Sequence, residues 1–291
     1  MKKTRINMMK PAFVLCYILL IFIMIMVFSG MFNNNIIKYK KYHLKRDGCC
    51  VIKNVLSNKE ISTIKKMCDE SKYEETKEML LNNEEIKTRI VKTLDKNYVL
   101  QDYIWIIKKS AVHTCHRDNN GDFFNKGQRH PSYTMIVYIE NMEKCLGVIP
   151  SSHTDINAYN INIANNVENI ICNQGDAILF NANLIHVGAI NEKDDNLRIQ
   201  LKVTHKDDIK HIAYYQNFNK VLNEENKLPK PIIHIQKNIS CVLPFISDLS
   251  QRENINSARG SVNGSKIGYF QKVFSYLFYG NSNFYDLPNA F

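Results

Sequence analysis

The stretch YVLQDYIWIIKKS, residues 98–110, marks the point where the hydrophobic pattern changes from helical to strand-like spacing. Short apolar or alternating runs follow it, separated by Gly, Asn, Pro and Asp. They are YTMIVYIE at 133–140, LGVIP at 146–150, NIIC at 169–172, DAILF at 176–180 and LRIQLKV at 197–203. Many short strands at this spacing are typical of a β-sandwich or β-barrel. The sequence therefore predicts a mainly β fold with flanking helices.

The residues before this stretch predict one strand followed by helices. Residues 49–55 are a short, partly β-branched apolar run, which favours a strand. Ser57 stands three residues before Glu60, the spacing of a capping box that satisfies free amides at a helix start. Ile61, Ile64, Met67 and Cys68 then recur at helical spacing and give one apolar face. A second, charged helical stretch is expected over residues 73–93.

An uncharged apolar segment occupies residues 12–32, after a short basic tail at residues 1–11. About 20 apolar residues are needed to cross a bilayer as a helix. A secretory signal peptide is the competing interpretation, but its apolar region usually ends at about 7–15 residues. We expect an uncleaved single-pass transmembrane anchor and a membrane localisation. Basic residues flank the segment on both sides, so the positive-inside rule leaves the side of the folded domain open.

The composition excludes some other kinds of partner and site. The formal net charge is +10, but Lys and Arg are scattered without a dense basic run. Nucleic-acid binding is therefore not predicted. Among the eight cysteines no pair has CxxC spacing, which argues against a zinc knuckle or a thioredoxin-like motif. We expect mostly free thiols.

Two histidines and one aspartate form the candidate metal site. His116 and Asp118 are separated by one residue, so on an extended chain their side chains point to the same side. His186 occurs just beyond the predicted strand at 176–180. Two His and one carboxylate with open positions form the facial triad of non-haem Fe(II) oxygenases. His116, Asp118 and His186 are thus the predicted catalytic metal ligands, with room for O2 and a co-substrate.

Arg198 is the predicted residue for binding that co-substrate. It stands twelve residues after His186, inside the predicted strand 197–203. A guanidinium presents a planar fork that matches a carboxylate, whereas a lysine would offer only a point charge. A 2-oxoacid that chelates a metal through its keto end needs such a partner at its far carboxylate.

The order of these motifs resembles the phytanoyl-CoA dioxygenase family of Fe(II)/2-oxoglutarate oxygenases. DGCCVIKNVLSNKEIS at 47–62 looks like the family's opening strand and capped helix, and HRD at 116–118 matches its His-x-Asp motif. LGVIPSSH at 146–153 and HVGAINEKDDNLRIQL at 186–201 are similar to its later motifs. The resemblance implies a double-stranded β-helix (jelly-roll, cupin-like) over residues 33–205. Residues 206–291 would be a partly irregular C-terminal extension, with a polar loop at 250–265.

The resemblance also implies an activity. Fe(II) and 2-oxoglutarate would be used with O2 to hydroxylate a C–H bond, releasing succinate and CO2. Halogenases resembling this family lack the carboxylate ligand, so Asp118 favours hydroxylation. The expected substrate is a small or lipid-like molecule of unknown identity.

Several alternatives stay open. His153 and Asp155 form a second His-x-Asp pair, and His113 and His130 are nearby histidines without a carboxylate two residues on. Arg117, between the predicted ligands, is expected to face substrate or solvent. The alternative function is a catalytically inactive β-helix domain that serves as a membrane-anchored binding module. A zinc hydrolase could use the same ligands, but it leaves Arg198 without a role.

Overall fold

A computed structural model describes residues 11–33, 41–110, 112–157, 159–163, 166–192, 196–258, 268–282 and 291. The basic tail predicted at residues 1–11 lies outside these ranges except for its last residue.

The larger sheet combines strands from the parts of the sequence before, between and after the candidate ligands. They are β1 (Cys49–Ile52), β2 (Tyr98–Leu100), β3 (Tyr103–Lys109), β4 (Tyr133–Tyr138), β7 (Ala177–Asn181), β9 (Arg198–His205) and β10 (Phe218–Asn223). Their order is β1-β7-β4-β9-β3-β10, and β2 pairs with β9. β10 lies parallel to β3, and the other pairs are antiparallel. The register between β4 and β9 places Thr134 opposite Lys202 and Tyr138 opposite Arg198.

The smaller sheet contains β5 (Leu146–Val148), β6 (Glu168–Ile170) and β8 (His186–Gly188), in the order β6-β5-β8. On the free side of β8, His116 forms an isolated antiparallel bridge with His186. The chain passes repeatedly between the two sheets as it runs from β4 to β9. The predicted mainly β core with flanking helices is confirmed, and its arrangement is consistent with a cupin-like fold.

The two faces of the larger sheet have different partners. Met135 and Val137 of β4 pack with residues of α3 (Asn58–Asp69), α4 (Tyr73–Leu81) and α5 (Glu84–Thr93). Ile136 and Tyr138 point the other way and pack with residues of β5 and β6. Since side chains alternate along a strand, even-numbered positions of β4, and the β9 residues opposite them, face the space between the sheets.

The helix starts follow from local side-chain chemistry. The capping box of α3 is confirmed: the Ser57 hydroxyl accepts from the Glu60 amide, and the Glu60 carboxylate accepts from the Ser57 amide. The helical stretch predicted over 73–93 is two helices. Asn83 separates them, because its side chain caps α5 by accepting from the Ile86 amide.

Among the described residues, one further strand and three helices follow residue 205. Two 3-10 turns (Lys206–His211 and Ala213–Tyr215) lead into β10, followed by α6 (Lys230–Val242), α7 (Pro244–Ala258) and α8 (Tyr269–Tyr279). Within α6, Cys241 places its sulfur 2.9 Å from that of Cys115. All eight cysteines are free thiols, as the sequence predicts. The polar loop predicted at 250–265 is wrong for residues 250–258, which are helical and pack against α8, where the Glu253 carboxylate accepts from the Gln271 amide at 2.8 Å. Residues 259–265 lie outside the described part.

Helix α1 spans Pro11–Asn33, preceding a short helix α2 (Leu44–Asp47). Its side chains are described at residues 13–25, and all of them are exposed. Within the part of the chain that the structure describes, no helix has both the length and the apolar character of a membrane span. The transmembrane anchor predicted over 12–32 is therefore unsupported, and its residues 12 and 26–32 lie outside the described side chains.

Candidate metal centre

The structure brings His116, Asp118 and His186 together. One ligand atom from each lies within 4.8 Å of the others. Asp118 Oδ1 is 3.7 Å from His116 Nε2 and 3.6 Å from His186 Nε2. These separations exceed hydrogen-bond length but are close to the ~3.4 Å between neighbouring ligands of a tetrahedral site. Three potential ligand atoms therefore converge on one point.

Both imidazole rings are held by the backbone through their other nitrogen. His116 Nδ1 donates to Thr114 O at 2.8 Å, and His186 Nδ1 donates to Leu184 O at 3.0 Å. Protonation at Nδ1 leaves the Nε2 lone pair directed toward Asp118. Such outer hydrogen bonds fix the tautomer and orientation of metal-binding histidines. The ring of Phe180 packs against His186 with centroids 4.5 Å apart, which further restricts this side chain.

The second oxygen of Asp118 is bound by a buried polar group of side chains. Lys202 Nζ donates to Asp118 Oδ2 at 2.7 Å, and the Thr134 hydroxyl donates to the same oxygen. Lys202 also donates to Asn120 Oδ1 at 3.0 Å and Thr134 Oγ1 at 2.9 Å. Its side chain is only 2% exposed. Oδ2 is thereby occupied, and Oδ1 is left facing the two histidines.

These contacts set the charge of the cluster. Although burial alone would raise the pKa of Asp118, the charges of Lys202 and His186 hold it well below its usual range. Burial lowers the pKa of His186 to about 4. Burial also acts to lower the pKa of His116, but the neighbouring Asp118 carboxylate outweighs it and raises this pKa. At neutral pH the cluster offers an ionised carboxylate and a neutral imidazole, the forms in which these groups bind metals.

The segment that carries His116 is fixed from two directions. On one side it pairs with β8, where a Cβ added to Gly188 would overlap Val112 O, so the close approach requires glycine. On the other side, Arg117 forms a buried ion pair with Asp248 of α7, and its amide donates to Asp248 Oδ1 at 3.0 Å. The expectation that Arg117 faces substrate or solvent is wrong, since this residue is 1% exposed. The helix after the β core thus supports the ligand segment.

Arg198 lies in the same interior as the metal cluster, four residues along β9 from Lys202. It is 8% exposed and donates to Asn196 O at 3.2 Å. Among the described residues no carboxylate pairs with it. The hydroxyl of Tyr138, directly opposite on β4, is buried without a hydrogen-bond partner, and so is the indole nitrogen of Trp105 on β3. Buried donors are nearly always paired in native proteins, so Arg198 and the adjacent Tyr138 hydroxyl together fit an anionic molecule.

The other histidines and acids considered from the sequence lie elsewhere. His153 is outside the cluster, with its ring beside Gly48, and the carbonyl of Asp155 accepts from Arg117. His113 is buried three residues from His116 and belongs to no candidate metal cluster of the described residues. His130 belongs to a different group, with His205 and Asp207.

Sequence analysis missed Lys202, Thr134, Tyr138 and Asp248. Lys202 and Arg198 share a strand at an even spacing, so the alternation of side chains could have placed both on one face. Thr134 and Tyr138 could be found only with the register of β4 on β9. Asp248 lies far along the chain from Arg117, and no local pattern connects them.

Comparisons with known proteins give structural likenesses alone. No family model and no curated protein matches the chain. The resemblance to the phytanoyl-CoA dioxygenase family therefore stays a prediction.

Solved structures of similar architecture include the non-heme alpha-ketoglutarate-dependent epimerase SnoN from nogalamycin biosynthesis. It is 14% identical, with a TM-score of 0.45, over 56% of this chain and 80% of that one. HygX from Streptomyces hygroscopicus, with nickel and 2-oxoglutarate bound, is 12% identical over 56% and 84%, with a TM-score of 0.44. EvdO2 from Micromonospora carbonacea var. aurantiaca, complexed with 2-oxoglutarate, is 12% identical over 58% and 91%, with a TM-score of 0.42. Likenesses this remote assign no activity to the chain, which has to be inferred from its own side chains.

Proposed function

We propose that this chain is an Fe(II)- and 2-oxoglutarate-dependent oxygenase that hydroxylates a C–H bond of a small-molecule substrate. One observation carries the proposal. A buried His-His-Asp cluster, with its non-ligand atoms already hydrogen-bonded, shares an interior with a buried guanidinium that has no anionic partner among the described residues.

His116, Asp118 and His186 would hold the metal through His116 Nε2, His186 Nε2 and Asp118 Oδ1. Two imidazoles and one carboxylate suit Fe(II), and three protein ligands leave further positions free. Lys202 and Thr134 occupy Asp118 Oδ2, which favours binding through Oδ1 alone. The absence of a thiolate among these ligands makes a structural zinc site of the Cys-rich kind a poor fit.

Arg198 would bind the distal carboxylate of 2-oxoglutarate, and the Tyr138 hydroxyl would donate to it. Burial lowers the pKa of Arg198, yet an arginine stays charged in a protein, so its buried charge requires an anion. A bound dicarboxylate would satisfy this charge and the unpaired Tyr138 hydroxyl together. A hydrolase would leave both groups without a role.

When bound, iron and 2-oxoglutarate supply the oxidising power for C–H hydroxylation. The chain's own contribution is to orient the reactants and to limit access of water. Ile136, Ile178 and Phe180 form an apolar wall in the same interior, next to His186. The motif order that resembles the phytanoyl-CoA dioxygenase family supports the same reaction class.

Succinate release tests the proposal. Purified protein with Fe(II), ascorbate and 2-oxoglutarate should release succinate slowly even without the true substrate, and His116→Ala should abolish this release. Arg198→Gln should raise the KM for 2-oxoglutarate at least tenfold, since a charge-assisted pair with a buried guanidinium contributes ~1.5–3 kcal/mol.

Arg89→Gln is the matched control, because Arg89 is a half-exposed arginine on α5 whose partner is Glu85. It should leave the KM unchanged. Absence of succinate from the wild-type protein, together with no 2-oxoglutarate binding by calorimetry in the presence of Zn2+, would refute the oxygenase. Binding of 2-oxoglutarate without turnover would instead favour the binding module.

A further inference from the structure

Two cysteines that are distant in the sequence meet beside the candidate metal centre. Cys115 precedes His116 on the segment that pairs with β8, and Cys241 lies near the end of α6. Their sulfurs are 2.9 Å apart, and both side chains are fully buried. Because a disulfide bond is ~2.05 Å long, the two sulfurs would need to approach by only about 0.9 Å to form one. The proposed oxygenase chemistry uses neither sulfur.

Hydrogen bonds to the backbone of both cysteines keep the two sulfurs together. The Cys115 amide donates to the Ser240 hydroxyl at 3.0 Å, and that hydroxyl donates to the Lys237 carbonyl at 2.7 Å. The Asn162 side chain donates to the Cys241 carbonyl at 3.2 Å. The sulfur contact is therefore set by the backbone positions of both residues, and not by one mobile side chain.

A buried positive charge lies one helical turn from Cys241. Lys237 is 5% exposed, and among the described residues no carboxylate pairs with its ammonium. Although burial alone would raise the pKa of the Cys241 thiol, the hydrogen bond from Cys115 and the charge of Lys237 lower it. Reactive cysteines lie beside cationic groups, whereas buried cysteines in apolar surroundings are inert. These surroundings favour Cys241 as the nucleophile of the pair.

We propose that Cys115 and Cys241 are a dithiol pair that a small disulfide, such as oxidised glutathione, converts to an intramolecular disulfide. The Cys241 sulfur attacks one sulfur of oxidised glutathione, whose S–S bond breaks and releases one glutathione thiol. The Cys115 sulfur then displaces the second glutathione from Cys241. The two cysteine thiols lose two electrons and two protons, and oxidised glutathione takes up both to give two glutathione thiols.

The new bond would attach α6 covalently to the segment that carries His116. The two cysteines are 126 positions apart, and a cross-link over so long a loop strongly constrains the unfolded chain. Because both thiols are fully buried, the folded protein should oxidise slowly, and the bond should form readily while the chain refolds. This inference does not depend on the proposed oxygenase activity.

Mass spectrometry of the full chain tests the pair. The wild-type protein is refolded in a buffer of reduced and oxidised glutathione, alkylated, and digested without reductant. The digest should contain two peptides joined through Cys115 and Cys241, lighter by two hydrogen atoms than the sum of the free peptides. Reduction before alkylation should remove this product, and Cys241→Ser should lack it.

Cys172→Ser is the matched control, because Cys145 and Cys172 form another close pair of sulfurs, 3.3 Å apart. This variant should keep the joined peptides. In its background the midpoint of thermal unfolding should be roughly 5–15 °C higher with the Cys115–Cys241 bond than after reduction. Addition of Cys241→Ser should abolish that difference.

Two results in the wild-type protein would overturn the proposal. One is recovery of Cys115 and Cys241 only as alkylated thiols at every ratio of oxidised to reduced glutathione. The other is an oxidised protein in which either residue is bonded to a different cysteine or retains glutathione.

Discussion

At the scale of single residues, the candidate centre depends on the two oxygens of the Asp118 carboxylate having different partners. Asp118 Oδ1 faces the histidines, and Oδ2 receives a lysine and a threonine. The buried Lys202 ammonium balances the charge of this candidate ligand within the protein itself. Burial lowers the pKa of Lys202, although the Asp118 carboxylate opposes this. The pair is therefore a stability determinant as well as a site feature.

Replacing Lys202 with methionine should destabilise the metal-free protein by about 3 kcal/mol, since removing one partner leaves the other charge buried and unpaired. Urea unfolding in EDTA at neutral pH measures the difference. Lys87→Met is the control, because Lys87 pairs with Glu84 at 2.8 Å on an exposed helix surface. That substitution should cost less than ~1 kcal/mol. Equal losses of unfolding free energy in the two variants would show that the buried pair stabilises the protein no more than an exposed pair does.

The candidate ligands could be predicted from the sequence because two of them are separated by one residue on an extended chain. The His-x-Asp spacing alone places both side chains on one face. The second pair, His153 and Asp155, has the same spacing, and only the fold separates it from the cluster. The position of Arg117 could not be predicted in this way. Its charge suggested an exposed position, but the carboxylate of Asp248 on the distant helix α7 makes burial possible.

At the scale of elements, local chemistry predicted the start of α3 well and the strands β8 and β10 poorly. The capping box of α3 is readable because Ser57 and Glu60 interact across a single turn. β8 has three residues, and β10 lies in the region after residue 205 where the strand pattern weakens. Such strands form because neighbouring strands supply their hydrogen-bond partners, and an isolated sequence pattern does not show these partners.

Ser57→Ala should lower the free energy of unfolding by about 1 kcal/mol, because two amides at the start of α3 lose their side-chain partner or its orientation. Glu60 also accepts from Asn83, which caps α5, so the loss should extend to the next helix. Chemical denaturation compared with Ser62→Ala, an exposed serine within α3, provides the measurement and its control. A loss no larger than that of Ser62→Ala would mean that the cap contributes nothing.

At the scale of the whole molecule, the helices after the β core are part of the support of the candidate centre. Asp248 of α7 neutralises Arg117, whose neighbours on both sides are candidate ligands. Cys241 of α6 covers Cys115 on the same segment. The sequence could not predict this coupling, because more than a hundred residues separate the partners and their pairing depends on the packing of α6 and α7 against the segment that carries His116.

Asp248→Asn should therefore destabilise the protein by about 3 kcal/mol and weaken metal binding, because the Arg117 charge stays buried without its counterion. Thermal unfolding and Zn2+ calorimetry measure the two effects. Asp69→Asn, an exposed aspartate at the end of α3, should change neither. If Asp248→Asn keeps wild-type metal affinity, α7 stabilises the fold without positioning the ligands.

The antiparallel ladder between β4 and β9 has one more consequence. Thr134 and Lys202 form one cross-strand pair, or rung, beside the Asp118 carboxylate. Tyr138 and Arg198 form another rung four residues away. At about 3.4 Å per residue, the two rungs are roughly 14 Å apart along the backbone. Backbone hydrogen bonds, and not mobile loops, set this separation. The distance along the ladder between Arg198 and the Asp118 side of the interior is therefore fixed. Under the proposed function, the protein should therefore discriminate among 2-oxo dicarboxylic acids by chain length.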